Sequence, residues 1–182
     1  MVITGVQTAP PAPAAESKPL TLAALEAAAK NADAAGDQAL SIAKATDAQN
    51  GKPEDSPGLP AADYEVAGGF DDRAGQQYEK AANDWKEVAD KYKAAGEVVK
   101  SFFNDADVAR FTTKITELQK SADHSKQMAI ESYNKAAVEY VKSAKVATQP
   151  TNRLKQMESA TKSLDSGAHV GQESDKKDKK DK

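Results

Sequence analysis

Two apolar stripes with heptad spacing, out of phase with each other, constrain the fold of this chain more than any other feature of its sequence. The first stripe consists of Ala74, Tyr78, Ala81, Trp85, Val88, Tyr92, Ala95, Val99 and Phe102, and the second of Val108, Phe111, Ile115, Leu118, Ala122, Ser125, Ala129, Tyr133, Ala136, Tyr140, Ala144 and Ala147. Steps of three and four residues are typical of helices that bury a narrow face against another helix. We therefore predict an all-α protein.

The change of phase falls at residues 104–107, where the sequence reads Asn-Asp-Ala-Asp. If the first helix simply continued, its stripe would fall on small or polar residues such as Ala106 and Thr113. We interpret the change as a tight turn followed by a new N-cap. Residues 71–148 are then a long antiparallel coiled-coil hairpin. A single continuous helix of more than about 70 residues is the alternative, because neither Gly nor Pro occurs at the break.

A further helix, helix A, is predicted for residues 21–48, with Thr21 as its N-cap. Its stripe is Leu22, Leu25, Ala29, Ala32, Gly36, Ala39 and Ala43. Small residues stabilise a helix contact weakly, and Gly36 costs about 1 kcal/mol relative to Ala, so helix A should depend on its neighbours. Packed on the hairpin, it would give a three-helix bundle-like arrangement.

The second arm of the predicted hairpin is about 60 Å long and the first about 45 Å, at 1.5 Å per residue. The far end of the longer arm, with Tyr133 and Tyr140, therefore needs another partner. Helix A and a second protein are the two candidates.

The remaining segments contain Pro, Gly or runs of charged residues. Residues 49–70 hold three prolines and several glycines and are predicted to be an exposed linker. A short C-terminal helix is predicted within residues 149–166, with Leu154, Met157, Thr161 and Leu164 on one face. The leader, residues 1–20, and the charged tail, residues 167–182, are predicted to be disordered.

Composition limits the core and the partners. Leu, Ile, Val and Phe together occupy 27 of 182 positions, whereas Ala alone occupies 35, so we expect thin helix contacts and no thick core. A net charge of −3 argues against a nucleic-acid partner. No apolar run reaches the roughly 20 residues of a transmembrane helix, so no transmembrane segment is predicted. The sequence contains no cysteine.

One cluster holds the residue types of a hydrolase triad, Asp123-His124-Ser125. Adjacent residues of a helix project about 100° apart, so three in a row cannot align as orienting acid, base and nucleophile. A solvated His124 is the favoured interpretation. No catalytic, cofactor-binding or metal-binding residues are predicted, and we expect the protein not to be an enzyme.

The candidates for a partner interface are aromatic. Trp85, Tyr133 and Tyr140 lie on the stripes, where packing inside the fold is the first interpretation and a binding hot spot the second. Phe102 and Phe103 crowd the predicted turn. An exposed pair at that tip would suit a protein partner or a peripheral contact with a lipid surface.

The leader is rich in Pro, Ala, Ser and Thr and nearly free of charge, and its composition resembles the leaders of bacterial specialised-secretion substrates. The whole plan resembles that of bacterial type III secretion tip, filament and translocator-associated proteins, without a shared motif. This resemblance implies a structural or interaction protein exported by a non-classical route, which binds a protein partner or self-associates through its helices. The alternative is an intracellular or virion scaffold, adaptor or chaperone-like protein.

Overall fold

The computed structural model describes residues 22–50, 61–99 and 105–175, and all of its regular secondary structure is helical. The helices of this part of the chain are α1 (Leu22–Asn50), α2 (Ala61–Val99), α3 (Asp105–Val146) and α4 (Pro150–Asp175). The predictions of an all-α fold and of an N-terminal helix packed on a helical pair are confirmed. The fold has a fourth packed helix, so the three-helix description is incomplete. The predicted disordered ends, residues 1–20 and 176–182, lie outside the described residues.

Helices α2 and α3 pack against each other in antiparallel order. Near one end, the Ser143 hydroxyl donates a 2.7 Å hydrogen bond to the Ala61 carbonyl. Near the other end, the rings of Tyr92 and Phe111 lie 6.3 Å apart between centroids. The chain therefore reverses between the two helices, and the alternative of one continuous helix is wrong. A supercoiled, coiled-coil geometry for this pair remains a prediction.

Helix α1 runs antiparallel to α2 and lies along it from Tyr92, near the reversal, to at least Ala74. Its contacts follow in order along both helices, with Tyr92 bonded to Glu26 and Tyr78 bonded to Asp37. The suggestion that this helix covers the far end of α3 holds only in part, because α1 reaches the cluster that contains Tyr133 but contributes no residue to the one that contains Tyr140. A stripe of alanines fits many positions along a hairpin, and polar contacts at particular places select this one.

The far end of α3 is covered from within the chain. Helix α2 begins at Ala61, so residues 61–70 of the predicted linker are helical, and Tyr64 is fully buried. The prolines that indicated a linker end at Pro60, and residues 51–60 lie outside the described residues. Gly68, taken as a breaker, lies against the ring of Tyr140. No second protein is needed to cover this end.

Helix α4 is longer than predicted, because it continues through Gly167 to Asp175. Gly167 lies against Tyr133, and an added Cβ would lie 3.3 Å from the Tyr133 Cβ. Val170, one turn later, is buried. The prediction of disorder is thus wrong for residues 167–175, since here Gly permits a close helix contact and does not end the helix.

The apolar core is thin and runs along the helices in three clusters. The first joins α1, α2 and α3, the second joins all four helices, and the third joins α3 and α4. Their buried members are Ala29, Ala32, Ala81, Trp85, Val88, Ala89 and Leu118; Ala39, Leu40, Ala74, Tyr78, Ala129, Tyr133 and Val170; and Ala136, Ala137, Tyr140 and Ala160. Alanine supplies about half of them, as the composition predicts.

Three tyrosine rings lie directly on glycines of a neighbouring helix. A Cβ added to Gly36 or to Gly75 would lie 2.8 Å from ring carbons of Tyr78 or Tyr133, respectively. A Cβ at Gly68 would lie 3.1 Å from the Tyr140 ring. These glycines weaken their own helices, but they let a large flat side chain fill the contact between helices.

We expect Gly75→Ala to lower the free energy of unfolding by about 1 to 3 kcal/mol, because the new methyl group overlaps the Tyr133 ring. Gly171→Ala is the matched control, since nothing lies within 4 Å of the added Cβ. That change should be neutral or should stabilise by up to about 1 kcal/mol through helix propensity. Urea unfolding followed by circular dichroism measures both.

The same prediction requires that the effect of Gly75→Ala disappear in a Tyr133→Ala background, because the overlapping ring is then absent. An equal loss in both backgrounds would contradict the proposed ring contact.

Candidate interaction surface

Three of the five aromatic residues predicted as interface candidates lie inside the helix contacts. Trp85, Tyr133 and Tyr140 are each less than a tenth exposed. Packing inside the fold, the first of the two interpretations drawn from the sequence, therefore describes these three residues. They present no free ring to a partner. Phe102 and Phe103 lie outside the described residues.

Each of three tyrosines that packs on a glycine also donates a hydrogen bond to a carboxylate. Tyr78 bonds to Asp37 at 2.5 Å, Tyr133 bonds to Glu79 at 2.9 Å, and Tyr140 bonds to Asp72 at 3.1 Å. The carboxylate follows the contacted glycine on the same helix, by one residue in the first case and by four in the others. We call these three pairs the tyrosine latches. A latch fixes the position of one helix along another, which a stripe of alanines alone does not.

Two aspartates each join three helices. Asp33 of α1 accepts hydrogen bonds from Trp85 Nε1 of α2 at 2.7 Å and from the Ser125 hydroxyl of α3 at 2.6 Å. Asp72 of α2 accepts from Tyr140 of α3 and, at 2.7 Å, from the Ser163 hydroxyl of α4. We call these the Asp33 and Asp72 junctions. They hold α1 and α4 on the hairpin.

The latches change how their phenols titrate. Burial raises the pKa values of Tyr78, Tyr133 and Tyr140 well above the ordinary value, and the neighbouring carboxylates raise them further. Burial also raises the pKa of Asp72, although its hydrogen bonds from Ser163 and Tyr140 act in the opposite direction.

The residue types of a hydrolase triad do not come together in the structure. Asp123 and His124 are exposed on α3, whereas Ser125 is buried and bonded to Asp33. No group of three or more His, Cys, Asp or Glu side chains within the described ranges could hold a metal ion. None of the helices in these ranges is long and apolar enough to cross a membrane.

The exposed apolar surface of α4 is the least expected feature of the fold. Leu154, Met157 and Leu164 are 63%, 46% and 51% exposed, and Thr161 between them is also exposed. These four residues follow 3-4-3 spacing, so they form one continuous line along the helix, which we call the α4 stripe. It is the same face that the sequence singles out, and it points to solvent.

Helix α4 buries small and polar residues in place of its large apolar ones. The buried set is Gln156, Ala160, Ser163, Gly167 and Val170. The Gln156 side chain is only 3% exposed, and its Oε1 has no hydrogen-bond partner among the described residues. Gly167 lies against Tyr133, Ala160 shares a cluster with Tyr140, and Ser163 bonds to Asp72. The packing of the helix therefore leaves its leucines outside.

Helix α3 extends the apolar surface beside the stripe. Val138 is 54% exposed, and Val141, three residues later, packs against the cluster that contains Ala160 of α4. Because Gly167 lies against Tyr133 and Arg153 bonds to the Ala147 carbonyl, the antiparallel register brings Val138 level with the middle of α4. An added Cβ at Gly167 would lie 3.8 Å from Asn134 Oδ1, and Val138 follows Asn134 by about one turn, so Val138 lies on the side of α3 next to α4. The stripe and Val138 thus border the groove between α3 and α4.

Sequence analysis missed both the latches and the direction in which the stripe points. The signal for the stripe was present, because Ala160, Ser163 and Gly167 recur at the same 3-4 spacing on the next face of α4. A helix with one large apolar stripe and one small-residue stripe can bury either. The choice depends on which stripe fits the partner surface.

The raised tyrosine pKa values predict a loss of stability at alkaline pH. The folded protein keeps these protons at a pH where the unfolded chain releases them, so the free energy of unfolding should fall as pH rises above about 10. The slope is at most about 1.4 kcal/mol per pH unit for each tyrosine. Urea unfolding between about pH 8 and 11.5 measures it.

The control for this alkaline prediction is the variant with Tyr78, Tyr133 and Tyr140 all changed to Phe. It keeps every lysine, so the titration of lysines contributes equally to both proteins. Its stability should be lower at pH 8, through loss of the latches, and should decline less steeply above about pH 10. Parallel declines would contradict the prediction.

The chain was compared with known proteins in three ways. No family model, curated protein or solved structure matches it. The case for a function therefore rests on the geometry of the helices, and above all on the α4 stripe.

Proposed function

We propose that this protein is a non-enzymatic, helical interaction protein in which α2 and α3 form a rigid support and the α4 stripe binds a protein partner. The observation that carries the proposal is the inverted packing of α4, which buries Gln156 and Ser163 while Leu154 and Leu164 remain exposed. Burying a polar side chain is unfavourable unless it is well bonded, and exposing leucine gives up hydrophobic stabilisation.

The exposed apolar residues of the described chain are not scattered evenly. Seven large hydrophobic side chains are exposed there, and three of them lie within the 11 residues from Leu154 to Leu164. A fourth, Val138, borders the same groove. Single exposed apolar residues are ordinary, but a contiguous line of them marks an interaction site.

The support beneath the stripe is well fixed. Tyr140 and Ser163 both bond to Asp72, which ties α4 to the α2 and α3 pair. The 3.1 Å bond between Lys155 and Glu65 adds a second link between α4 and α2. A surface held in this way needs little rearrangement when a partner binds, which favours affinity.

The α4 stripe gives a direct test of partner binding. A photo-crosslinking amino acid at Leu164 should capture a partner in the native cell, whereas the same group at Lys162, on the other side of the helix, should capture much less. The captured protein is then purified and titrated against wild type and against a variant with Leu154, Met157 and Leu164 changed to Gln.

We expect that triple variant to bind the partner at least about tenfold more weakly, because a few apolar anchors carry most of the binding energy of an interface. Its stability should change little, since the three side chains are about half exposed already. A variant with Thr151, Asn152 and Lys162 changed to Gln is the matched control and should bind normally. Equal capture at residues 162 and 164, or undiminished binding by the triple variant, would contradict the proposal.

We further propose that the protein is exported as a component of a bacterial secretion apparatus, at its tip, in its filament or with its translocator. The support is the composition of residues 1–20 and the general plan of the chain. The longer arm of the hairpin no longer supports it, because α2 and α4 cover that arm. The alternative is an intracellular or virion scaffold, adaptor or chaperone-like protein that uses the same stripe.

Removing residues 2–20 separates these two settings. If the segment directs export, its deletion should leave the folded protein inside the cell, as should its replacement by a Gly/Ser segment of equal length. Immunoblotting of cell and medium fractions measures the distribution. An unchanged distribution would favour the intracellular alternative, and it would leave the proposal for the α4 stripe intact.

A further inference from the structure

We infer that the partner of the α4 stripe is an amphipathic α-helix that carries Lys or Arg along one flank of its apolar face. This inference rests on the proposed function, because it concerns the same surface. The spacing of the stripe, the charges beside the stripe and the groove in which the stripe lies indicate this kind of partner.

The spacing of the stripe fits a helix. Leu154, Met157, Thr161 and Leu164 occupy the alternating positions of a two-helix seam, where each side chain inserts between residues of a facing helix. The neighbouring Val138 widens this line into a groove between α3 and α4. An amphipathic helix lying in an apolar groove is a common mode of protein recognition.

Two carboxylates lie in the row of residues directly beside the stripe, and Lys162 lies in the next row. Glu158 follows Leu154 by four residues, and Asp165 follows Thr161 by four, so both carboxylates are rotated about 40° to the same side of the stripe. Both side chains are exposed, and neither is in an ion pair within the described ranges. They occupy the flanking positions that select a partner by charge in paired helices. The matching flank of a partner helix is basic.

The same charges disfavour a second copy of this chain. Two antiparallel α4 helices would bring each copy's Glu158 and Asp165 against the other's, and like charges in such positions repel. A parallel pair would bring them against the opposite flank, where Arg153 is exposed but Ala160 and Gly167 are buried on the hairpin, so a second helix has no access to most of that flank.

A lipid surface is also a poor match. Helices that lie on membranes have a wide apolar face and a polar face rich in Lys and Arg. The α4 stripe is one line of side chains, and its exposed flank carries two carboxylates that an anionic membrane would repel.

The test uses two fluorescent synthetic helices with identical leucine seams, one with Lys and the other with Glu at the flanking positions, titrated against the full chain by anisotropy. We expect the Lys-flanked peptide to bind about tenfold more tightly at low salt. The ratio should shrink at about 0.15 M salt, because exposed charges are screened. The variant with Leu154, Met157 and Leu164 changed to Gln should lose both peptides.

Charge reversal supplies the second arm. Changing Glu158 and Asp165 to Lys should invert the preference, so that the Glu-flanked peptide binds more tightly. The matched control changes Glu117 and Asp123, two exposed acids on the half of α3 that packs near α1, to Lys. It alters the net charge equally and should leave the preference unchanged. Inversion by both variants would show that net charge alone acts, and would overturn the inference.

Several outcomes would overturn the inference while sparing the proposed function. Equal binding of the two peptides would show that the partner needs no basic flank. If neither peptide binds while a purified partner still requires the stripe, the partner surface is not an amphipathic helix. Dimerisation that the triple Gln variant abolishes would identify a second copy as the occupant. Binding to vesicles of phosphatidylcholine and phosphatidylserine, at about four to one, that the same variant abolishes would identify lipid as the occupant and would overturn the proposal of a protein partner as well. Loss of every stripe-dependent interaction would overturn the inference and the proposed function together.

Discussion

The fold depends on two aspartates, each of which accepts hydrogen bonds from two neighbouring helices and so joins three helices. Asp33 receives Trp85 of α2 and Ser125 of α3, and Asp72 receives Tyr140 of α3 and Ser163 of α4. A core made mostly of alanine supplies little hydrophobic free energy per contact and almost no preference for one position along a helix over another. Hydrogen bonds to a charged group are stronger than neutral ones and have defined geometry. The two junctions therefore decide where α1 and α4 lie, while the alanines allow the helices to come close enough for the bonds to form.

In the tyrosine latches, the close approach of two helices at a glycine and the hydrogen bond from the tyrosine to a carboxylate occur together. In each latch the facing helix presents a glycine beneath the tyrosine ring, as Gly75 does for Tyr133 and Gly68 for Tyr140. Both glycines and both tyrosines are spaced by seven residues, so the contact repeats after two helical turns. Glycine weakens each helix by about 1 kcal/mol, and the latch offsets this with ring packing and a bond to a carboxylate. A buried polar network of this kind favours one arrangement of helices over its shifted alternatives.

The helices that show apolar periodicity were predicted from the sequence. The bounds and positions that depend on contacts between helices were not. Steps of three and four residues identified the stripes of α2 and α3, and the change of phase near Asn104 indicated the reversal. The regions of Gly68 and Gly167 were predicted not to be helical, because a sequence does not distinguish a glycine that ends a helix from one that packs against an aromatic ring. The position of α1 could not be read from its stripe, which carries no large side chain between Leu25 and Leu40. Asp33 and Asp37, which fix that position through their hydrogen bonds, do not belong to the stripe.

The stripe on α4 shows the same limit with a functional consequence. Amphipathic patterning says that a helix has an apolar face, and for an isolated domain that face is expected to turn inward. In α4 the inward face is set by the surface it packs on, where Ala160 lies in the cluster of Tyr140 and Ser163 bonds to Asp72. A chain that needed stability alone could place its leucines inside and remove the buried Gln156. Retaining leucines outside, beside two unpaired carboxylates within the described ranges, is an arrangement that folding does not require and that binding a basic amphipathic helix would use.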